Sequence, residues 1–281
     1  MRPYHDKVVE AISRRGRRFR RASSPAAKLI ASAARRAATA GGAAHKNRVR
    51  VTLAALLFDV DLATRMTRNE LDHIVVVAGA REAGTAWVEE SLGVPLQAGG
   101  EHERMGTHNA LLRLGEKQYL EVISVNPMAP APNRPRWFEL DRLMPDSAPR
   151  LATWVARTAD IGVAVAACPP PPLEILAMSR GVLSWLIAIP ADGSLLGGGI
   201  LPALIEWPAD VHPLAGLTDH GCALTRLEGF HPDAGRLALS LDAIGLGEAI
   251  ELRALPEGGR PYLVAHFETP HGPRTIGGPR A

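Results

Sequence analysis

The order of the predicted elements constrains this chain most, because the same order occurs twice. From residue 70 the pattern predicts a strand, a helix and three further strands, and from residue 151 it predicts the same succession again. The first strand contains the β-branched run Ile74–Val77, which is typical of a strand buried on both faces. A duplicated order of this kind favours a strand-rich α+β fold built from two similar half-units.

The element order divides the chain into five predicted segments. Residues 127–150 are rich in proline and are expected to form an ordered, irregular connection draped over the surface. A shorter strand–helix–strand–strand unit follows the second half-unit. The segments are a basic leader at 1–65, a first βαβββ unit at 70–126, the connection at 127–150, a second βαβββ unit at 151–208 and an additional C-terminal βαββ unit at 221–280.

The charge of the chain is unevenly distributed. Residues 1–70 contain 16 of the 32 Lys and Arg but only 5 of the 29 Asp and Glu, so the remainder of the chain is acidic. Clustered arginines at 14–21 are compatible with nucleic acid, an anionic membrane or a transit peptide. Few apolar side chains are available to anchor this leader, so we expect it to be disordered or to precede a true initiator at Met66. Nucleic acid is therefore not an expected partner.

Several classes of protein are excluded by composition. No apolar run approaches the roughly 20 residues that cross a bilayer, so neither a membrane span nor a membrane partner is expected. Two cysteines, Cys168 and Cys222, are too few for a disulfide framework or a thiolate zinc site. They suit a reducing compartment, and a cytoplasmic location is predicted.

Three polar residues stand out against their apolar strands: His73, Glu121 and Glu206. A carboxylate in a buried strand is costly unless it is paired or binds a cation. Ion pairs with arginines on neighbouring strands, or a hydrogen-bonded core histidine, would explain each residue singly. Because the three occupy equivalent places in repeated units, together they favour a site for a divalent metal, which prefers this set of nitrogen and oxygen donors.

The hairpin at Gly115–Gln118 assigns further residues. A two-residue turn at Glu116 and Lys117 would place Leu112 opposite Glu121, with His108 on the same face ~13 Å away. At that distance a role in substrate binding is more plausible than metal ligation. The predicted substrate-binding residues are His102, His108 and Asn109.

Several stretches together resemble the glyoxalase-like domain, a branch of the vicinal oxygen chelate (glyoxalase/bleomycin resistance/dioxygenase) superfamily. The resemblance rests on the segments Leu71–Val76, Gly99–His102, Gly106–Leu111, Tyr119–Glu121, Leu151–Thr158, Leu201–Trp207 and His212–Pro213, together with Trp185. It implies an α+β fold in which paired βαβββ units curl into a half-open barrel around one metal ion.

The resemblance also implies a ligand set and a chemistry. His73, Glu121 and Glu206 would bind one divalent metal ion, either Zn, Fe(II), Mn or Ni. Many members have a histidine on the fifth strand, but residues 152–156 contain none, so the fourth ligand is not assigned. Water, substrate oxygens or His212 would complete the shell, and a chain without a metal is the remaining alternative. Glu206 is the predicted catalytic residue, moving a proton as it loosens from the metal. Such an enzyme would act on a small oxygenated metabolite as a lyase, an isomerase or a dioxygenase.

An alternative is a non-catalytic, drug-sequestering protein of the same fold. It would bind a small molecule in an aromatic cleft formed by Trp137, Trp154, Trp185 or Trp207, which could equally be ordinary core residues. Both interpretations predict a small-molecule partner, and both allow barrels that close within the chain or across a homodimer.

Overall fold

The computed structural model describes residues 69–168, 172–208 and 211–279. Every described residue belongs to one compact unit, Met66–Ala281. The predictions for the leader concern residues outside the described ranges. Within those ranges no helix is long and apolar enough to span a membrane.

The two half-units have the predicted succession of elements. Gly93 ends the first helix in the left-handed conformation, with φ of 74°, which glycine adopts without steric cost. The first half-unit comprises β1 (Glu70–Val77), α1 (Arg81–Leu92), β2 (Gln97–His102), β3 (Thr107–Leu114) and β4 (Gln118–Val125). The second comprises β5 (Arg150–Arg157), α2 (Ile161–Ala167), β6 (Leu173–Arg180), β7 (Leu183–Pro190) and β8 (Ala203–Glu206).

Eight strands form one curled sheet in the order β2-β3-β4-β1-β5-β8-β7-β6. Within each half-unit the first strand runs parallel to the last, and the two halves join through the antiparallel pair β1 and β5. The outer strands β2 and β6 approach each other closely. Arg180 of β6 lies so near Gly100 of β2 that a Cβ added to this glycine would be 2.8 Å from the Cδ of the arginine. The predicted half-open barrel of paired βαβββ units is confirmed.

The C-terminal unit forms a second sheet of four strands, in the order β10-β9-β11-β12. It contains one strand more than predicted, because a tight turn at Gly272, with φ of 89°, returns the chain along β11. Its elements are β9 (Ala223–His231), α3 (Ala234–Ala243), β10 (Glu251–Ala254), β11 (Tyr262–Thr269) and β12 (Gly272–Gly277).

Strand β1 of the large sheet is buried on both faces, as the β-branched run predicts. Ile74 and Val76 pack on one side with the helices and with Phe267 of the second sheet. We call this side the helix face. Val75 and Val77 pack on the opposite, inner side, which we call the cleft face. Alternation along each strand therefore decides which side chains reach the interior of the half-barrel.

The proline-rich connection is not only a surface segment. Its residues Trp137 and Phe138 are buried on the cleft face. Phe138 and Glu139 both have φ of 58°, a conformation that non-glycine residues rarely adopt. The backbone N–H of Glu139 donates to the carbonyl of Gly193 at 2.9 Å, which holds the segment against the second half-unit. The connection thus supplies one wall of the cleft.

Candidate functional site

A cleft opens on the inner face of the half-barrel and encloses about 350 Å³ of empty space, including its opening to solvent. Both half-units and the connection contribute to its walls. Its polar lining residues are His73, His102, Tyr119, Glu121 and Arg180, and its apolar ones are Trp137, Phe138, Trp185, Ile187, Ile205 and Trp207.

His73 is held in one orientation by its neighbour in the sequence. Its Nδ1 lies 2.7 Å from Oδ1 of Asp72, and its ring stacks on Tyr119 with centroids 4.4 Å apart. Adjacent strand residues normally point to opposite faces, but the β1–β5 ladder shifts register between Leu71 and His73. A carboxylate only accepts, so Nδ1 donates to Asp72, and Nε2 is directed towards Glu121.

Asp72 is a fully buried anion with several partners. Its Oδ2 accepts from Nε2 of His212 at 3.0 Å, and Nη1 of Arg157 lies 3.8 Å away. Burial by itself raises the pKa of Asp72, but the hydrogen bonds that its carboxylate accepts from His212 and His73 outweigh burial and lower the pKa well below its ordinary value. Asp72 therefore stays ionised and orients His73.

Glu121 faces His73 across the interior of the cleft. Its Oε2 lies 3.7 Å from Nε2 of His73, and its Oε1 accepts from Nδ2 of Asn109 at 2.6 Å. The side-chain oxygen of Asn109 in turn accepts from the backbone N–H of Gly100 at 2.9 Å. Asn109 thus holds one carboxylate oxygen and leaves the other directed at His73.

The predicted hairpin was one residue out of register. Three residues, Gly115–Lys117, form the turn, so Leu111 rather than Leu112 pairs with Glu121. A shift of one residue exchanges the two faces of a strand. Asn109 therefore shares the face of Glu121, whereas His108 lies near Arg81 and Glu82 of α1 and is not among the residues that line the cleft.

His102 does line the cleft. Its Nδ1 lies 3.0 Å from Oγ1 of Thr107, and its ring meets Trp137 and Trp185 edge-on with centroids 5.2 and 5.9 Å away. Burial, together with the positive charge of Arg180, lowers the pKa of His102 to about 3. The imidazole is thus neutral near pH 7 and offers a hydrogen bond rather than a charge.

Glu206 does not join the cleft, in contrast to its predicted role as metal ligand and catalytic residue. Its neighbour Ile205 lines the cleft, so alternation along β8 directs Glu206 to the helix face. There its Oε2 accepts from the backbone N–H of Ile161 at 2.7 Å and stabilises the start of α2.

The second half-unit lacks counterparts of His73 and Glu121. The β1–β5 ladder is symmetric about the pair Ile74–Trp154, since Val75 pairs with Thr153 as His73 pairs with Val155, and His73 therefore corresponds to Thr153. Val75 pairs with Glu121 in the first half-unit as Val155 pairs with Ala203 in the second, so Glu121 corresponds to Ala203. Neither Thr153 nor Ala203 carries an imidazole or a carboxylate.

This donor set does not fit a resident metal ion. Catalytic zinc sites generally use three protein ligands, whereas only an imidazole and a carboxylate face each other here. Within the described ranges no group of three or more His, Cys, Asp or Glu side chains is placed to hold a metal. We therefore derive no reaction step through one.

Three of the four candidate tryptophans line the cleft. Trp154 is a core residue whose Nε1 donates to the carbonyl of Ile200 at 2.9 Å. By contrast, the Nε1 atoms of Trp137 and Trp207 are buried and have no hydrogen-bond partner in the described part of the chain. Buried donors of this kind usually bind a ligand or an ordered water molecule.

Sequence analysis missed Asp72, Tyr119 and Arg180. Asp72 was detectable, because a second polar residue beside His73 interrupts the same buried run. Arg180 comes from the edge strand β6, where an arginine needs no explanation, so its sequence position gave no signal.

Paired βαβββ units around an inner cleft define a protein of the vicinal oxygen chelate superfamily. The model of the glyoxalase-like domain matches residues 71–245, and the chain belongs to this family. A comparison with curated proteins gave no match.

Solved structures with a similar fold share little sequence with this chain. A hypothetical protein from Staphylococcus aureus is 14% identical with a TM-score of 0.43, and the match covers 63% of this chain and 74% of that one. Methylmalonyl-CoA epimerase from Mycobacterium tuberculosis is 17% identical with a TM-score of 0.35, covering 52% and 91%. The Streptomyces coelicolor epimerase in complex with 2-nitronate-propionyl-CoA is 17% identical with a TM-score of 0.36, covering 51% and 98%.

Proposed function

We propose that this glyoxalase-like protein is an enzyme that moves a proton at a carbon atom adjacent to a carbonyl group of a small metabolite. The observation that supports this most directly is the pair formed by His73 Nε2 and Glu121 Oε2, 3.7 Å apart in the cleft. An isomerase or a lyase needs such a step, whereas a dioxygenase needs a redox centre, which this donor set does not favour.

His73 is the proposed base. Asp72 holds its Nδ1–H, so Nε2 is free to accept a proton from the substrate, and the anion stabilises the imidazolium that results. This is the orienting role that a buried carboxylate has beside a catalytic histidine.

Glu121 is the proposed second proton carrier. Its Oε2 and Nε2 of His73 are 3.7 Å apart, so both atoms can reach one small substrate bound between them. Asn109 donates to the other oxygen and fixes the direction of Oε2. His73 and Glu121 can then take a proton from one position of a substrate and return one to another, as isomerisation or elimination requires.

The alternative of a drug-sequestering protein is less well supported. Apolar and aromatic walls would suffice to bind a drug, and burying charged side chains is costly. Asp72, His73 and Glu121 are nevertheless all buried within the described unit. A proton-transfer reaction needs these groups, whereas sequestration does not.

Hydrogen–deuterium exchange tests the proposal. The purified chain is incubated in D₂O with pyruvate, 2-oxobutyrate and acetone, and loss of the C–H signals adjacent to the carbonyl is followed by proton NMR. We expect faster exchange than in buffer for at least one compound, and a loss of about 100-fold or more in His73→Gln. Arg236→Gln, an exposed change on α3, is the control and should exchange at the rate of the unsubstituted chain. Equal rates in His73→Gln and the unsubstituted chain would contradict the proposal.

The identity of any bound metal, a cytoplasmic location and a homodimer remain predictions from the sequence.

A further inference from the structure

Arg180 brings a positive charge to the cleft. It lines the cleft together with His73 and Glu121, and in the described ranges it forms no ion pair. The side chain of Arg180 lies against β2 at Gly100, which has no side chain. A Cβ at this position would be 2.8 Å from the Cδ of Arg180, so a larger residue would displace the arginine. An arginine held in this way can receive an anion from solvent.

Two tryptophans that line the same cleft, Trp137 and Trp207, each carry a further hydrogen-bond donor. The indole N–H groups of Trp137 and Trp207 are buried and unpartnered in the described part of the chain, and Trp137 is only 3% exposed. A buried donor without an acceptor costs free energy comparable to a lost hydrogen bond. An oxyanion in the cleft would satisfy these groups and neutralise Arg180 together.

We infer that Arg180, Trp137 and Trp207 form a carboxylate-binding subsite, so that the substrates are small carboxylic acids with a carbonyl group near the carboxylate. The planar guanidinium matches a carboxylate in geometry, and one cation balances its single charge. A phosphate dianion would need more positive charge than this cleft supplies. The choice of a carbonyl acid, though not the anion subsite itself, rests on the proposed proton transfer at His73.

Binding measurements test the subsite independently of catalysis. Tryptophan fluorescence is titrated with pyruvate, with its neutral ester methyl pyruvate and with inorganic phosphate. We expect pyruvate to bind about tenfold or more tightly than the ester, because hydrogen bonds to a charged group are the stronger ones. Equal affinity for acid and ester would overturn the subsite, and tighter binding of phosphate than of pyruvate would overturn its assignment to carboxylates.

Variants locate the effect. Arg180→Gln should abolish the preference for pyruvate over its ester, whereas Arg236→Gln, on the exposed surface of α3, should retain it. Trp207→Phe keeps the aromatic wall but removes the N–H, and should weaken pyruvate binding by about tenfold with the ester unaffected. Trp87→Phe on α1 is the matched control. A preference that persists in Arg180→Gln would overturn the inference.

Failure of the subsite and failure of the proposed reaction are distinguishable. A chain that prefers pyruvate through Arg180 but catalyses no exchange has the subsite without the reaction. A chain that exchanges pyruvate and acetone equally, with no effect of Arg180→Gln, has the reaction without the subsite.

Discussion

His73 of β1 and Val155 of β5 are directly paired in the antiparallel ladder that joins the two half-units. The repeat equivalent of His73 is nevertheless Thr153, two residues before Val155, and that of Glu121 is Ala203. The first half-unit therefore supplies the imidazole and the carboxylate of the cleft, whereas the second supplies Arg180 and apolar side chains. This asymmetry explains why the described part of the chain has the fold of the superfamily without three or more His, Cys, Asp or Glu side chains placed to hold a metal.

The asymmetry predicts the metal content. After expression with added zinc and desalting, the unsubstituted chain should contain well below one zinc ion, because two donors are too few for tight binding. The double variant Thr153→His and Ala203→Glu should bind about one zinc ion per chain, since it adds an imidazole and a carboxylate at the equivalent positions of the second half-unit and brings the donors to four. Elemental analysis by mass spectrometry measures both.

The matched control for the metal experiment is Thr153→Asn with Ala203→Gln, which adds polarity without strong ligands and should remain low in zinc. One zinc ion per unsubstituted chain, lost in His73→Ala, would contradict the interpretation of the cleft.

Glu206 should be important for stability and not for the reaction. In Glu206→Ala the N–H of Ile161 loses its acceptor, so we expect the free energy of unfolding to fall by about 1–2 kcal/mol in urea titrations. Asp160→Ala, which removes the N-cap of the same helix, is expected to cost a similar amount. The hydrogen–deuterium exchange rate of pyruvate should be unchanged in both variants. A tenfold fall of this rate in Glu206→Ala alone would show that Glu206 takes part in the reaction.

The local sequence pattern was sufficient to predict the order of helices and strands, but it did not predict the register in which the strands pair. The β-branched run Ile74–Val77 and the duplicated order of elements depend on local chemistry, and both are present in the structure. Whether Glu206 or Ile205 faces the cleft depends on the pairing of β8 with β5 and β7, which is non-local. The error at His108 has the same origin, because one extra residue in a turn exchanges the faces of β3.

Replacing Asp72 should be costly to the fold as well as to catalysis. Asp72→Ala removes the acceptor of both His73, which is buried, and His212, which is partly buried, and leaves their ring N–H groups without this partner. We expect the free energy of unfolding to fall by about 2–4 kcal/mol, measured by urea denaturation at pH 7. Asp146→Ala, at an exposed position, should change it by less than about 0.5 kcal/mol. Equal stability of the two variants would contradict the role given to Asp72.

His102 should make the fold sensitive to mild acid. Its pKa is about 3 in the folded chain against an ordinary 6.5, so the unfolded chain binds the extra proton between these values. Stability is therefore lost as pH falls from 6.5 towards 3. Each pKa unit corresponds to ~1.4 kcal/mol, so between pH 6.5 and 4 this single group should lower the free energy of unfolding by about 3 kcal/mol.

The variant His102→Gln isolates this contribution, because glutamine can still bond to Thr107 but does not titrate. Urea titrations from pH 8 to 4 should give parallel curves above pH 7. Below pH 6.5 the stability of the unsubstituted chain should fall more steeply than that of the variant. The buried anion Asp72 weakens the fold only at lower pH, since its pKa lies below the ordinary 3.8. Curves that remain parallel down to pH 4 would show that His102 is not held neutral in the cleft.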